Sequence, residues 1–280
     1  MRSDTVDDVI GRALAEDLGT GDVTTEAIVP ADLDALADVV VKAAGVVCGI
    51  AELAACVRRL DPDAEAELLV GEGDAVTSPP QIVALIRGRA QAILTAERTG
   101  LNLVQRMSGI ATATRAYVEA VAGTGVEILD TRKTAPGLRA LDKRAVACGG
   151  GRNHRMGLDD AILIKDNHVA IAGGIIPAVE AARAANPGLA VEVEVDDLGQ
   201  LDAAIAAGAD TILLDNMHPA RLREAVARTG GRARLEASGG ITLDTVRAVA
   251  ETGVDAISIG ALTHSVTALD VSLEVHPWQS

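Results

Sequence analysis

The sequence predicts an α/β protein: a C-terminal βα barrel-like domain with a smaller N-terminal α+β sandwich domain. Three observations carry this. From Val193 onward, candidate strand centres recur at about 20 residues, the length of one βα unit. These strands are apolar on both sides, as in a parallel sheet covered on both faces. The N-terminal part instead shows short β-branched runs broken by glycine and proline, the pattern of short strands and turns. A doubly wound open sheet is the alternative for the second half.

The 280 residues suit one large domain or two smaller ones, and 49% hydrophobic residues allow a sizeable core. There is no Phe, one Tyr (Tyr117) and one Trp (Trp278), so Ala, Val, Leu and Ile must build that core. The 40 Asp+Glu against 25 Lys+Arg leave a formal net charge of −15. That charge repels phosphate and stacking platforms are missing, so nucleic-acid binding is not expected. No apolar run is long enough to span a membrane. Residues 1–20 carry Asp4, Asp7, Asp8, Glu16 and Asp17 and lack the basic start and apolar centre of a signal peptide, so a cytoplasmic protein is expected. Cys48, Cys56 and Cys148 form no CxxC pair and no metal spacing, and are expected reduced and mostly buried.

In order, residues 4–18 predict a helix with Val6, Val9, Ile10, Ala13 and Leu14 on one face. Gly19 and Gly21 mark a loop in which Asp22, Thr24 and Thr25 offer caps and turns. Residues 36–50 predict strands interrupted by Gly45 and Gly49, and Glu52–Leu60 a short helix. Residues 65–87 read as short strands around a tight turn at Gly71–Asp74 and a break at Pro79-Pro80. The GEGD of that turn lacks the last glycine and the strand–helix context of a dinucleotide loop. Ala90 to about Val121 is the longest helical stretch, with a break expected near Ser108-Gly109. The domain division is placed there: residues 1–108, with the tail 266–280 packing against them, and a barrel over 109–265. Its strands are expected at 126–130, 161–165, 189–195, 211–215, 234–238 and 256–260. Helices are expected notably at 198–207, 219–228 and 243–251.

Residues 130–168 hold a basic island: Arg132, Lys133, Arg139, Lys143, Arg144, Arg152 and Arg155 against Asp142 alone between 131 and 155. Clustered guanidinium and ammonium groups hold carboxylates and phosphates. A solvated helix face is the plain alternative. Gly149-Gly150-Gly151 favours the ligand, since it permits close backbone approach just before Arg152, His154 and Arg155. In a βα barrel the working residues sit at the C-terminal ends of strands. Those ends carry Asp130 with Arg132 and Lys133, then Lys165 with Asp166 and Asn167, then Glu194, Asp215 with Asn216, Ser238-Gly239-Gly240, and Gly260. Glycine-freed N–H groups after the last two strands suit phosphate; ordinary strand-to-helix turns are the alternative. His264 is either a phosphate donor or a surface histidine. Glu194 and Asp215, with phosphate nearby, fit Mg²⁺; glycosidase-type acid–base work is the rival and leaves the cations unexplained.

With EDLGTGDVTT, TAERTGLNLVQRMSGIATAT, DTRKTAPGLRALDKRAV, GGGRNHRMGLDDAILIKDNH, VEVEVD, ILLDN, EASGGI and GALTHS in order along nearly the whole chain, the sequence resembles the quinolinate phosphoribosyltransferases. DTRKT, NHR and IKDNH together are highly specific. Arg144 departs from the pattern, standing where the family usually carries an aromatic. The resemblance implies that quinolinate and phosphoribosyl pyrophosphate give nicotinate mononucleotide, pyrophosphate and CO₂ with Mg²⁺, in de novo NAD biosynthesis. It implies that Arg98, Arg132, His154, Arg155 and Lys165 surround quinolinate, with Lys133 between it and the pyrophosphate donor. Glu194 and Asp215 then face the ribose and its Mg²⁺, while Ser238, Gly239, Gly240, Gly260 and His264 hold the 5-phosphate.

It further implies a homodimer in which Arg98 serves the other chain's barrel. A short connection near Ser108 would keep the first module from folding back over its own barrel. A surface ion pair between Arg98 and Glu97 is the plain alternative. Two other functions remain open: a barrel aldolase with Lys165 as Schiff-base nucleophile, and a non-catalytic anion-binding paralogue.

Overall fold

The computed structural model describes residues 6–278. Contacts divide the chain into two units. One comprises the chain up to Arg115, residues 134–150 and the stretch from Leu262; the other comprises Ala116–Lys133 and Gly151–Ala261.

In the first unit, α1 (Val6–Leu18) buries Val9, Ile10 and Leu14, as its spacing requires. Residues 4 and 5 of the expected helix lie outside the described residues. The loop expected next contains a short helix, α2 (Val23–Ile28), started by Asp22, whose Oδ1 accepts the Thr25 N–H at 2.9 Å. Then come β1 (Asp34–Val41), β2 (Gly45–Val46), α3 (Ile50–Leu60), β3 (Glu65–Leu68), β4 (Ala75–Val76) and β5 (Gln81–Arg89). The main sheet is antiparallel: the C-terminal strand Val271–Pro277, then β1, β5 and β3. Ala35, Ala37 and Val39 alternate inward along β1, and α3 buries Ile50, Leu53, Ala54, Cys56 and Val57.

The helix α4 (Ala90–Ala120) runs 31 residues without the break expected at Ser108-Gly109. Ser108 does not compete with its own helix, because its Oγ donates to Cys48 O at 2.9 Å and accepts the Cys48 N–H at 3.0 Å. Gly109 is a packing residue: a Cβ there would stand 2.2 Å from Thr267 O. The short connection expected near Ser108 is therefore absent.

The helix α5 (Arg139–Cys148) also belongs to the first unit. Its Asp142 is fully buried and receives both Arg106 Nε and Nη2 at 2.8 Å and the Ala135 N–H at 3.0 Å. Lys143 is fully buried too. Arg144 pairs with buried Glu52 and lies 3.9 Å from Glu72. Burial pushes the Glu52 carboxyl up, and Arg144 opposes that shift. Linear spacing showed no cysteine pairing, yet the fold brings Cys48, Cys148 and Glu72 within 4.8 Å of one another.

The second unit contains β6 (Glu127–Leu129), β7 (Ile162–Ile164), α6 (Asp166–Ala172), α7 (Ile175–Ala185), β8 (Val191–Val195), α8 (Leu198–Ala206), β9 (Thr211–Asp215), α9 (Pro219–Thr229), β10 (Arg234–Ser238), α10 (Leu243–Ala250) and β11 (Ala256–Ser258). The six expected strands are all present, several trimmed by a residue or two at their ends. They lie in the order β6-β11-β10-β9-β8-β7, all parallel. The earliest strand therefore lies beside the last. A doubly wound sheet instead reverses its strand order at an internal switch point. This is barrel connectivity with one open seam, between β6 and β7. Along β8, Val191, Val193 and Val195 are fully buried and alternate with Glu192 and Glu194. No helix among the described residues is long and apolar enough to cross a membrane.

Replacing Gly109 with Ala separates helix propensity from packing. Propensity alone would stabilise α4 by about 1 kcal/mol. The contact with Thr267 instead predicts a net loss of about 1–3 kcal/mol, read as the shift of the urea unfolding midpoint. A stabilised variant would show that the backbone of 267–268 yields freely.

Candidate functional site

Residues two apart on a strand face the same way, so each parallel strand delivers a layered pair of side chains to one surface. Leu163 and Lys165 come from β7 and its end, Leu213 and Asp215 from β9, Glu236 and Ser238 from β10. With Thr131, Arg132, Lys133, His154, Arg155, Glu194, Asn216, Gly239, Gly240 and Ser258 they line a cavity of about 510 Å³ within the second unit. Ten of the expected site residues thus come together: Arg132, Lys133, His154, Arg155, Lys165, Glu194, Asp215, Ser238, Gly239 and Gly240. Three do not line it. Arg98 is exposed on α4 in the first unit. Gly260 follows β11, and His264 is an exposed residue at the end of the four-residue α11 (Ala261–His264), its Nδ1 2.7 Å from Ser265 Oγ.

The basic island is not one surface. Arg132, Lys133 and Arg155 line the cavity, Arg152 pairs with Glu127 at 2.9 Å, and Arg139, Lys143 and Arg144 belong to the first unit. The arm bearing His154 and Arg155 is fixed through the edge of β6. Arg152 N–H donates to Ile128 O at 2.8 Å, and Asp130 N–H to Arg152 O at 3.2 Å. Fully buried Asp130, expected as a strand-end acid of the site, accepts the His154 N–H at 2.9 Å and so serves as scaffold. Arg155 Nη1 reaches Ala161 O at 3.2 Å, and Asp160 accepts the N–H groups of Met156 and Gly157.

Burial first, then the Arg132 charge, pushes the Arg155 guanidinium below its usual value. Arg132 Nε is buried without a hydrogen-bond partner among the described residues. An anion placed there would relieve both. Opposite stand Glu194 and Asp215. Glu194 Oε2 holds Lys165 Nζ at 2.5 Å. Asp215 accepts from Asn216 Nδ2 at 2.6 Å. Asn216 has φ 54 and sits against Gly239, where a Cβ would stand 2.1 Å from Asn216 Oδ1. The backbone at Gly239 is left-handed, φ +95, so glycine is required on both counts. Glu194 and Asp215 supply the hard oxygen donors that suit Mg²⁺, which completes its shell with water and phosphate oxygens.

Two acids were missed: Glu192, one layer below Glu194 on β8, and Glu236, one layer below Ser238 on β10. The available signal was a carboxylate two residues before a strand-end site residue in an otherwise apolar strand. Glu192 Oε2 is 2.9 Å from His154 Nε2 and Glu236 Oε2 3.7 Å from it. Burial, then the neighbouring Glu192 charge, raises Glu236 from 4.5 to about 7.

The folded chain thus keeps on Glu236 a proton that the unfolded chain releases above pH 4.5. Stability falls as pH rises through this window. At about 1.4 kcal/mol per unit, the change from 4.5 to about 7 amounts to roughly 3 kcal/mol. Glu236→Gln should flatten that part of the profile, making the variant relatively more stable than the parent at pH 8 than at pH 5. Parallel Tm-versus-pH curves for the two proteins would refute this.

Family models of the quinolinate phosphoribosyl transferase N-terminal and C-terminal domains match residues 22–108 and 110–274. The nicotinate-nucleotide pyrophosphorylase [carboxylating] of Mycobacterium leprae is 48% identical over 277 residues, covering 97% of this chain and 98% of that protein. The probable nicotinate-nucleotide pyrophosphorylase [carboxylating] of Bacillus subtilis is 45% identical, covering 93% and 90%. The crystal structure of NadC from Streptococcus pyogenes superposes with a TM-score of 0.94 at 39% identity, covering 98% of this chain and 97% of that one. Sequence, fold and the convergence of the charged strand ends lead to one assignment: this chain belongs to the quinolinate phosphoribosyltransferase family.

Proposed function

We propose that this enzyme transfers phosphoribosyl from phosphoribosyl pyrophosphate to quinolinate with decarboxylation, giving nicotinate mononucleotide, pyrophosphate and CO₂ for de novo NAD biosynthesis. The observation that carries this is a single cavity with crowded cations, Arg132, Arg155 and Lys133, facing the acids Glu194 and Asp215. Planar guanidiniums match the two adjacent carboxylates of quinolinate. Lys165 completes the quinolinate side, and Lys133 reaches between the two substrates. Ser238, Gly239 and Gly240 offer backbone N–H groups to the 5-phosphate, with Gly260 and His264 assigned to the same group on the family resemblance.

Glu194 and Asp215 stabilise the positive charge that grows on the ribose as pyrophosphate leaves C1. They also offer donors to Mg²⁺, which when bound would neutralise charge on the departing pyrophosphate. The ring nitrogen attacks C1 and becomes cationic. Its positive charge then stabilises the carbanion left on the adjacent carbon when the 2-carboxylate departs as CO₂, and a proton adds to that carbon. No redox cofactor enters this balance.

Incubation with quinolinate, phosphoribosyl pyrophosphate and Mg²⁺ should release CO₂ and nicotinate mononucleotide. Nicotinate lacks the 2-carboxylate and would leave charged donors unpaired, so kcat/KM should favour quinolinate by roughly 10³-fold or more. Comparable values for the two acids would overturn the assignment.

The active form on this reading is a homodimer in which Arg98 completes the partner's site. Supporting it are the family resemblance around TAERTGLN and the exposure of Arg98 beside buried Thr99 on α4. Arg98→Ala and Lys165→Ala should each be nearly inactive. Refolded together, half the dimers are mixed and each mixed dimer has one intact site, so about a quarter of wild-type activity should return. Mixed dimers that form yet stay inactive would place Arg98 in its own chain's site or outside catalysis.

A further inference from the structure

We propose that His154 acts as a neutral Nε2–H imidazole, anchored by Glu192, that positions Arg155 and does not itself bind a substrate carboxylate as a cation. The proposal rests on the reading above in assigning Arg132 and Arg155 to quinolinate. The Arg155 backbone N–H can only donate, and it meets His154 Nδ1 at 2.8 Å. Nδ1 therefore carries a lone pair, and the ring proton sits on Nε2. Nε2 faces Glu192 Oε2 at 2.9 Å, the acceptor that such a proton needs.

Both ring nitrogens are thus engaged within the protein. A second proton on Nδ1 would break the Arg155 amide bond. It would also add a positive charge beside Arg155, whose own charge already suffers from burial and from Arg132. Ionisable groups facing the ring include Glu192 from β8 and Glu236 from β10, with Arg155 next to it in the chain. One carboxylate accepting a neutral N–H suffices to hold the ring. Residue 154 is then tied at three points: its N–H to Asp130, its Nδ1 to the Arg155 amide, its Nε2 to Glu192. Together these bonds set the direction in which the Arg155 side chain leaves the backbone. Glu192 thereby becomes a positioning residue for the dicarboxylate, two residues from Glu194 on the same strand face. With the Nε2 lone pair used by its proton, the ring also has no free donor for a metal between Glu192 and Glu236.

The test is ¹⁵N-histidine NMR of the whole protein, free and saturated with quinolinate, between about pH 6.5 and 8. His154 is assigned among the five histidines by its loss in His154→Asn, or by removing the other four in turn. The expected result is one unprotonated Nδ1 and one protonated Nε2 in both states. A doubly protonated ring in the quinolinate complex would overturn the proposal. Kinetics give a second readout. Glu192→Gln keeps an acceptor, so quinolinate KM should rise less than about threefold, whereas Glu192→Leu should raise it about tenfold or more. The KM for phosphoribosyl pyrophosphate should move little in either variant. Equal quinolinate KM increases in the Gln and Leu variants would show that the Glu192 charge matters, and would sink the neutral-ring reading. If quinolinate is not turned over at all, the functional reading fails, while the tautomer of the free protein still decides the state of His154.

Discussion

Holding two guanidiniums close together inside a protein is the constraint on which the second unit depends. Arg132 and Arg155 repel, and Arg155 is partly stripped of water. Their positions are held by hydrogen bonds to the backbone and to buried or loop carboxylates. Asp130 anchors the His154 amide, Arg152 runs beside β6 through backbone bonds, and Ala161 takes Arg155 Nη1. Beneath His154 lie Glu192, whose charge supports the Arg155 guanidinium, and Glu236, whose carboxyl is pushed up to about 7. Such an arrangement keeps the guanidiniums rigid and short of partners, which is the condition for strong recognition of an anion.

The aliphatic composition makes this possible at low cost in space. With no Phe, the parallel strands bury aliphatic residues on one face and bring charged, polar and a few leucine side chains to the cavity on the other. Val191, Val193 and Val195 pack outward while Glu192 and Glu194 point inward, so one five-residue strand contributes both to the core and to the site. The glycines at the strand ends act in the same economy of space. Gly239 lets Asn216 lie flat against the turn, which in turn orients Asp215.

The first unit solves a different problem, that of burying charge within a largely apolar core. Asp142 and Arg106 form a forked pair, and Arg144 meets Glu52 across 92 positions of sequence. Pairs of this kind add little net stability compared with apolar packing, but losing one partner is costly. A cation at position 144 is tolerable because a buried acid on α3, Glu52, is aimed at it.

By itself the sequence determined the two-part architecture and all six parallel strands, because these depend on local periodicity; it also pointed to ten of the residues lining the cavity, most by the rule that strand ends carry the chemistry and His154 and Arg155 by the family resemblance. It misread Ser108-Gly109 as a break, since helix propensity is local whereas the need for glycine came from Thr267, far along the chain. It treated the basic residues of 130–155 as one island; only the fold separates Arg132, Lys133 and Arg155 from Arg139, Lys143 and Arg144, because helix α5 returns to the first unit. It passed over Glu192 and Glu236, whose meaning lies in a histidine brought above them from another loop. What only the tertiary structure decided was which charges face one another, and that follows from distances between strands and loops that no spacing along the chain encodes.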